Sequence, residues 1–119
     1  MLRFSANLSL LFTELDLLDR IAAAKAHGFD AVEIQFPYGC AASALSQAID
    51  SAEIPLILFN MPAGDLMEGG EGLASVPGKR DDFRRAVDLA LEYARWLTPC
   101  CINVLAGRVM RQQRPGEYL

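Results

Sequence analysis

The side chains best placed for chemistry stand where apolar runs of the sequence end. Asn7 closes a short run at residues 3–7, and Phe36 and Tyr38 follow a run at 31–35 that ends in Gln35. Asn60 closes the run 55–60 and is followed by Met61, Pro62, Ala63, Gly64 and Asp65, and Ala106-Gly107 follows a run at 100–105. In parallel α/β folds ligands meet the loops after the strands, at their carboxyl ends. Amide and aromatic groups there suit a small polyhydroxylated or keto-acid ligand, which needs hydrogen bonds and a flat apolar wall. Asn7, Phe36, Tyr38, Asn60 and Asp65 are therefore the candidate substrate-binding residues. The competing reading of Asn7 and Asn60 is that each caps a turn, because Asn readily bonds its own local backbone.

Other reactive groups point to structure. Glu33 lies within the second apolar run and is the one acid placed to face an interior. Without a second acid it defines no acid–base pair, so an ion pair with an Arg of a neighbouring element is the favoured reading, ahead of a polar floor to the site. His27, the only histidine, falls in the last turn of a helical segment, where an imidazolium suits the carbonyl dipole. Cys40 precedes a helix start but has no second group to make it a nucleophile. Cys100 and Cys101 are expected at buried strand positions, and three cysteines with one histidine give no zinc cluster of usual spacing. Gly69-Gly70-Glu71-Gly72 lacks the Lys-Ser/Thr of a phosphate loop and is read as the mobile part of a site loop. No catalytic residue and no metal ligand is assigned.

Composition narrows the class. The chain has 119 residues, 52% hydrophobic and 22% charged, with a formal net charge of −4. That describes a folded domain with its own core, not a disordered segment. Nucleic-acid binding needs clustered Lys and Arg. The densest basic group here is Arg108, Arg111 and Arg114, which reads as a solvated tail. No apolar run approaches the about 20 residues of a membrane span, and no signal-peptide pattern opens the chain. A reducing cytoplasm, with no nucleic-acid or membrane partner, is the expectation.

The elements that must position these residues alternate. Residues 3–7 form a strand, and an apolar loop follows at 8–12. Thr13 offers an N-cap to a helix bearing Leu17, Leu18, Ile21, Ala22, Lys25 and Ala26 at helical spacing, with Gly28 at its C-terminal cap. Residues 31–35 form a strand, 41–51 an alanine-rich helix with a stripe of Leu45, Ala48 and Ile49, and 55–60 a strand apolar enough for burial on both faces. A long loop, 61–78, contains five glycines and two prolines. The longest helix, 79–97, carries Phe83, Val87, Ala90, Leu91 and Ala94 on one side, and residues 100–105 form a fourth strand.

The order β-α-β-α-β-α-β means an α/β fold with a parallel sheet and right-handed crossovers. A (β/α)8 TIM barrel needs about 250 residues. Four strands and three helices match its first half, so residues 1–119 read as a partial TIM-barrel domain. The absence of a helix after the fourth strand gives the chain the look of a truncation.

The same residues carry a family resemblance. Arg3-Phe4-Ser5-Ala6-Asn7-Leu8-Ser9 with Phe12-Thr13-Glu14 resembles the N-terminus of the hydroxypyruvate isomerase family. Gly28-Phe29-Asp30-Ala31-Val32-Glu33 with Phe36-Pro37-Tyr38 is similar to it, as are Leu58-Phe59-Asn60-Met61-Pro62-Ala63-Gly64-Asp65, the segment 72–78, Ala90-Leu91-Glu92-Tyr93-Ala94 and Asn103-Val104-Leu105-Ala106-Gly107. The blocks keep the family's order across nearly the whole chain. The resemblance implies a xylose-isomerase-like barrel that interconverts hydroxypyruvate and tartronate semialdehyde, or a related keto acid, through an enediolate. It implies a pair of glutamates as acid and base on later strands, with a divalent metal (Mg²⁺ or Mn²⁺) polarising the substrate oxygens. No residue here matches those glutamates or metal ligands, so this chain alone is expected to be inactive and to hold no cofactor. The family often carries Arg near the position of Glu71, which leaves anion contacts from that loop without support.

Two other architectures compete. A complete flavodoxin-like α/β binding module would use the long loop as its ligand site and would need a closing helix after the fourth strand. A half-barrel could instead close by dimerising. Under the favoured reading the outer strands are unpaired edges, through which the chain would form homo-oligomers.

Overall fold

The computed structural model describes residues 1–110. Its elements run β1 (Ser5–Asn7), α1 (Leu17–Ala26), β2 (Ala31–Ile34), α2 (Ala42–Ala52), β3 (Leu56–Asn60), α3 (Arg80–Leu97) and β4 (Cys101–Asn103), with short 3-10 turns at Pro37–Gly39 and Leu66–Glu68. All strand pairs are parallel, and the sheet order is β1-β2-β3-β4. Sequential order with right-handed crossovers stacks every helix on one face, as in a barrel wall. A flavodoxin-like sheet would have a doubly wound order with β1 internal. The module alternative has no support in this topology.

Pairing places side chains in rows. Asn7 is in register with Glu33, Glu33 with Leu58, and Leu58 with Cys101, while Asn60 is in register with Asn103 one row further on. A bulge between Val32 and Glu33 adjusts the β2–β3 register there. The opposite face is the core, where Ala6, Val32, Ile34, Leu56 and Phe59 meet Ile21 and Ala24 of α1, Leu45 of α2, and Ala86, Ala90, Tyr93 and Leu97 of α3.

Several sequence expectations need correction. Helix α1 begins at Leu17 with Asp16 as its N-cap residue, not at Thr13, because Phe12 at φ 59° turns the chain and Leu15 N–H closes that turn on the Phe12 carbonyl. Its buried residues are Ile21 and Ala24, while Leu18, Ala22 and Ala26 face outward. On α3 the buried line is Ala86, Ala90, Tyr93 and Leu97, and Leu91 is 48% exposed. Strand β3 is not buried on both faces: Ile57 and Leu58 are only half-buried, since they stand on the open side of the sheet. Strand β4 is short, and Cys100 and Cys101 are exposed because β4 is the sheet's edge among the described residues. Gly28, at φ 86°, does end α1, its N–H reaching the Lys25 carbonyl, and the His27 Nδ1 lies 2.8 Å from the Ala23 carbonyl oxygen. Arg111 and Arg114 lie outside the described residues.

Candidate functional site

At the carboxyl end of the open face, Asn7, Glu33, Gln35, Leu58, Asn60, Asn103 and Leu105 line a cavity of about 280 Å³. Parallel register puts them together: each strand contributes the residue that points away from the helices at matching height. The amides are partly committed. Asn7 Oδ1 accepts the Ser9 N–H at 3.0 Å, so Asn7 both caps its turn and lines the cavity. Asn103 donates through Nδ2 to Asn60 Oδ1 at 3.2 Å. Glu33 makes no ion pair among the described residues, which corrects the expectation of an Arg partner.

The loop after β1 is fixed to this site. Arg20 of α1 donates from Nε to the Leu15 carbonyl and from Nη1 to the Leu8 carbonyl, both at 2.8 Å, and from Nη2 to Thr13 at 3.5 Å. Ser9 Oγ in turn accepts the Gln35 N–H at 2.9 Å, joining the loops after β1 and β2.

Phe36 and Tyr38 stand elsewhere. With Pro62, Ala63, Gly64 and Met67 they line a second, mainly apolar cavity of about 360 Å³. The Tyr38 hydroxyl donates to the Asn60 carbonyl at 2.5 Å, and its ring packs edge-on against Phe59 and Tyr93. Burial, and then the neighbouring Tyr93, push the Tyr38 phenol above its ordinary value. Tyr93 is pushed up by burial first and then by Glu92 and Cys40, and its hydroxyl donates to the Cys40 carbonyl at 2.5 Å. Tyr38 thus ties the turn after β2 to the end of β3 as a neutral phenol.

Asp65 lines neither cavity. Its Oδ1 accepts the Gly72 N–H at 3.1 Å, and its carbonyl accepts the N–H groups of Glu68 and Gly70. The loop 61–78 is built, not slack. Glu71 accepts the Arg108 N–H at its carbonyl, Lys79 bridges to the Glu71 carboxylate at 3.5 Å, and Ser75 donates to Ala106 at 2.7 Å. A Cβ on Gly70 would strike the Asp65 carboxyl, and one on Gly107 the Glu71 carbonyl. Gly70 and Gly107 thus serve close approach of the backbone.

The five sequence candidates therefore divide into Asn7 and Asn60 at the polar cavity, Phe36 and Tyr38 at the apolar one, and Asp65 inside the loop. Asn103 was missed, although it is in register with Asn60 and shortly precedes the Ala106-Gly107 turn. Among the described residues no three His, Cys, Asp or Glu side chains converge as metal ligands, so a divalent metal does not fit these residues alone.

A sequentially ordered parallel sheet, helices on one face and a polar cavity at the strands' carboxyl ends define one wall of a (β/α) barrel. The chain belongs to the xylose isomerase-like TIM barrel family, whose model matches residues 21–119. It is 46% identical over 107 residues to the 2-oxo-tetronate isomerase of Cupriavidus necator, covering 90% of this chain and 41% of that protein. It is 44% identical over 108 residues to the hydroxypyruvate isomerase of Escherichia coli, covering 91% of this chain and 42% of the relative. The crystal structure of an AP endonuclease, family 2, from Brucella melitensis superposes with a TM-score of 0.84 at 38% identity, over 90% of this chain and 42% of that one. The chain spans about two fifths of the length of these relatives.

Proposed function

We propose that this chain forms the first wall of an isomerase acting on short hydroxylated 2-keto acids, interconverting hydroxypyruvate and tartronate semialdehyde or their four-carbon counterparts. The observation that carries this reading is the cavity where Asn7, Glu33, Asn60 and Asn103 converge at the strands' carboxyl ends. The names of the relatives support the substrate class. In this reading the wall binds and orients the substrate's oxygens. The two carboxylates that move a proton between adjacent carbons, and any Mg²⁺ or Mn²⁺, belong to the rest of the barrel. The working location is the cytoplasm, in keeping with the described helices, none of which is long and apolar enough to cross a membrane. Homo-oligomers form through the edges of β1 and β4. A nucleic-acid substrate, which the name of the Brucella protein suggests for that relative, gains no support here from a net charge of −4.

Complementation tests the proposal. The 119-residue chain alone turns over no hydroxypyruvate, with or without Mg²⁺ or Mn²⁺. Mixed with the C-terminal part of the E. coli relative that it does not match, it restores turnover, followed by NMR of substrate and product. Turnover by the chain alone, or none in the mixture, overturns this assignment.

A further inference from the structure

We infer that the cavity on the open face receives the uncharged, hydroxyl-bearing end of its ligand against Glu33 and rejects ligands with an anionic group at that end. The inference deepens the keto-acid reading above and rests on it. Four observations combine. Glu33 is half-buried in the lining, paired in register with Asn7 and Leu58, and its carboxylate has neither ion pair nor hydrogen bond among the described residues. Asn7 Oδ1 is taken by Ser9, which leaves the Asn7 NH₂ group for a ligand. Asn60 Oδ1 is taken by Asn103, which leaves the Asn60 NH₂ group and the Asn103 side-chain carbonyl. The nearby cations are committed elsewhere: Arg20 to loop carbonyls, Lys79 to Glu71 and Gly72, and Arg108 to Leu66.

With the Gln35 side-chain amide, which also lines it, the cavity therefore offers three amide donors and three acceptors, one of them charged. A hydroxyl both donates and accepts, so adjacent hydroxyls satisfy such a lining completely. A carboxylate or phosphate only accepts. It would leave Glu33 and the Asn103 and Gln35 carbonyls unpaired and set its own charge against Glu33 with no cation among the described lining residues to offset it. A keto acid bound here must point its carboxylate away from this wall, toward the other side of the barrel. Glu33 is then a specificity-determining residue that fixes the direction in which the substrate lies.

The test uses the ¹⁵N-labelled 119-residue chain and two probes, the neutral polyol erythritol and the dicarboxylate tartronate. Side-chain NH₂ signals of Asn7, Asn60 and Asn103 report binding. Erythritol shifts them in the native chain, and tartronate at equal concentration does not. Glu33→Gln, nearly isosteric, weakens erythritol about tenfold, as losing one charge-assisted hydrogen bond should, and lets tartronate bind. Tartronate shifting the native signals as strongly as erythritol overturns the inference. So does a native chain that responds to neither probe, or a folded Glu33→Gln that leaves the preference unchanged. Should the variant fail to fold, the native comparison decides alone. Since the readout needs no turnover, failed complementation beside shifted amide signals would remove the isomerase reading and leave this orientation standing.

Discussion

The Tyr38 hydroxyl donates to the Asn60 carbonyl at 2.5 Å, so the turn that follows β2 is pinned to the last residue of β3. Because Asn60 also presents its side chain to the polar cavity, the aromatic cavity and the polar one are joined through this hydrogen bond. Removing only the hydroxyl, in Tyr38→Phe, leaves the carbonyl without that donor and keeps the ring contacts with Phe59 and Tyr93. The expected cost is about 1–2 kcal/mol in urea denaturation. An unchanged midpoint would show that water replaces the phenol freely.

The same tyrosines set an alkaline limit. Burial raises the Tyr38 and Tyr93 phenols above the unfolded value of about 10. Their neutral forms are thus favoured by the fold, and the stabilisation is fully present below pH 10 and lost as pH rises toward the folded values. Stability at pH 7 and 9 should match as far as these groups are concerned, then fall above 10. Tyr38→Phe should flatten part of that fall. A curve identical in slope to the native one would assign the alkaline loss to other groups.

Arg20 predicts a different signature. Its guanidinium donates to carbonyls at Leu8, Thr13 and Leu15, and so holds the apolar loop that leads from Asn7 into α1. A lysine keeps the charge but cannot span those acceptors with one ammonium. Arg20→Lys should cost roughly 1–2 kcal/mol, given partial solvent exposure of the bonds, and should speed amide exchange at Leu8, Ser9 and Leu15. Exchange unchanged in the loop would mean that Ser9 and Asn7 hold it without Arg20.

The order of the elements was legible from the sequence, since each alternation of apolar run and amphipathic stretch produced the expected strand or helix. The faces were less legible. On α3 the expected stripe holds at Ala90 and, packed against the core, at Phe83, Val87 and Ala94, but Leu91 faces out and Tyr93 was passed over, because it reads as amphipathic while its ring is buried and its hydroxyl finds the Cys40 carbonyl. Asn7 and Asn60 could be picked out because parallel sheets present their carboxyl ends to ligands. Asn103 and the isolation of Glu33 were not, since both follow from cross-strand register: Asn103 from its pairing with Asn60 across β3–β4, and Glu33 from a β2–β3 pairing interrupted by a bulge at Val32/Glu33 that no local pattern announces. The contacts inside the loop 61–78 were hidden for a related reason: glycine content cannot distinguish slack chain from backbone that must approach closely.

That loop supports a coupling experiment. Gly70 lies beneath the Asp65 carboxyl, which accepts the Gly72 N–H. Gly70→Ala should force the carboxyl aside and break that bond, costing about 1–3 kcal/mol in all. In an Asp65→Ala background the obstruction is gone, so the same glycine substitution should cost well under half as much. Additive losses in the double-mutant cycle would mean that the two residues act independently.

The sheet itself makes the last prediction. Among the described residues β1 and β4 each have one neighbour, and the chain beside them carries Phe4 at 61% and Val104 at 49% exposure. An unpaired edge flanked by exposed apolar groups is a template for another strand, since its N–H and C=O groups gain partners and the apolar surface leaves water in the same step. The 119-residue chain should therefore associate as concentration rises, seen as a growing sedimentation coefficient between about 5 and 200 µM, the range where contacts of this modest size become populated. Placing a charge at the edge should oppose this without entering the core, so Phe4→Lys and Val104→Lys should each shift the association to higher concentration, and together abolish it. If the native chain stays monomeric throughout, the edges are protected by something other than pairing. If it forms a single stable dimer insensitive to both lysines, two copies are meeting through their open faces, and Leu58 and Ile57 become the positions to charge instead.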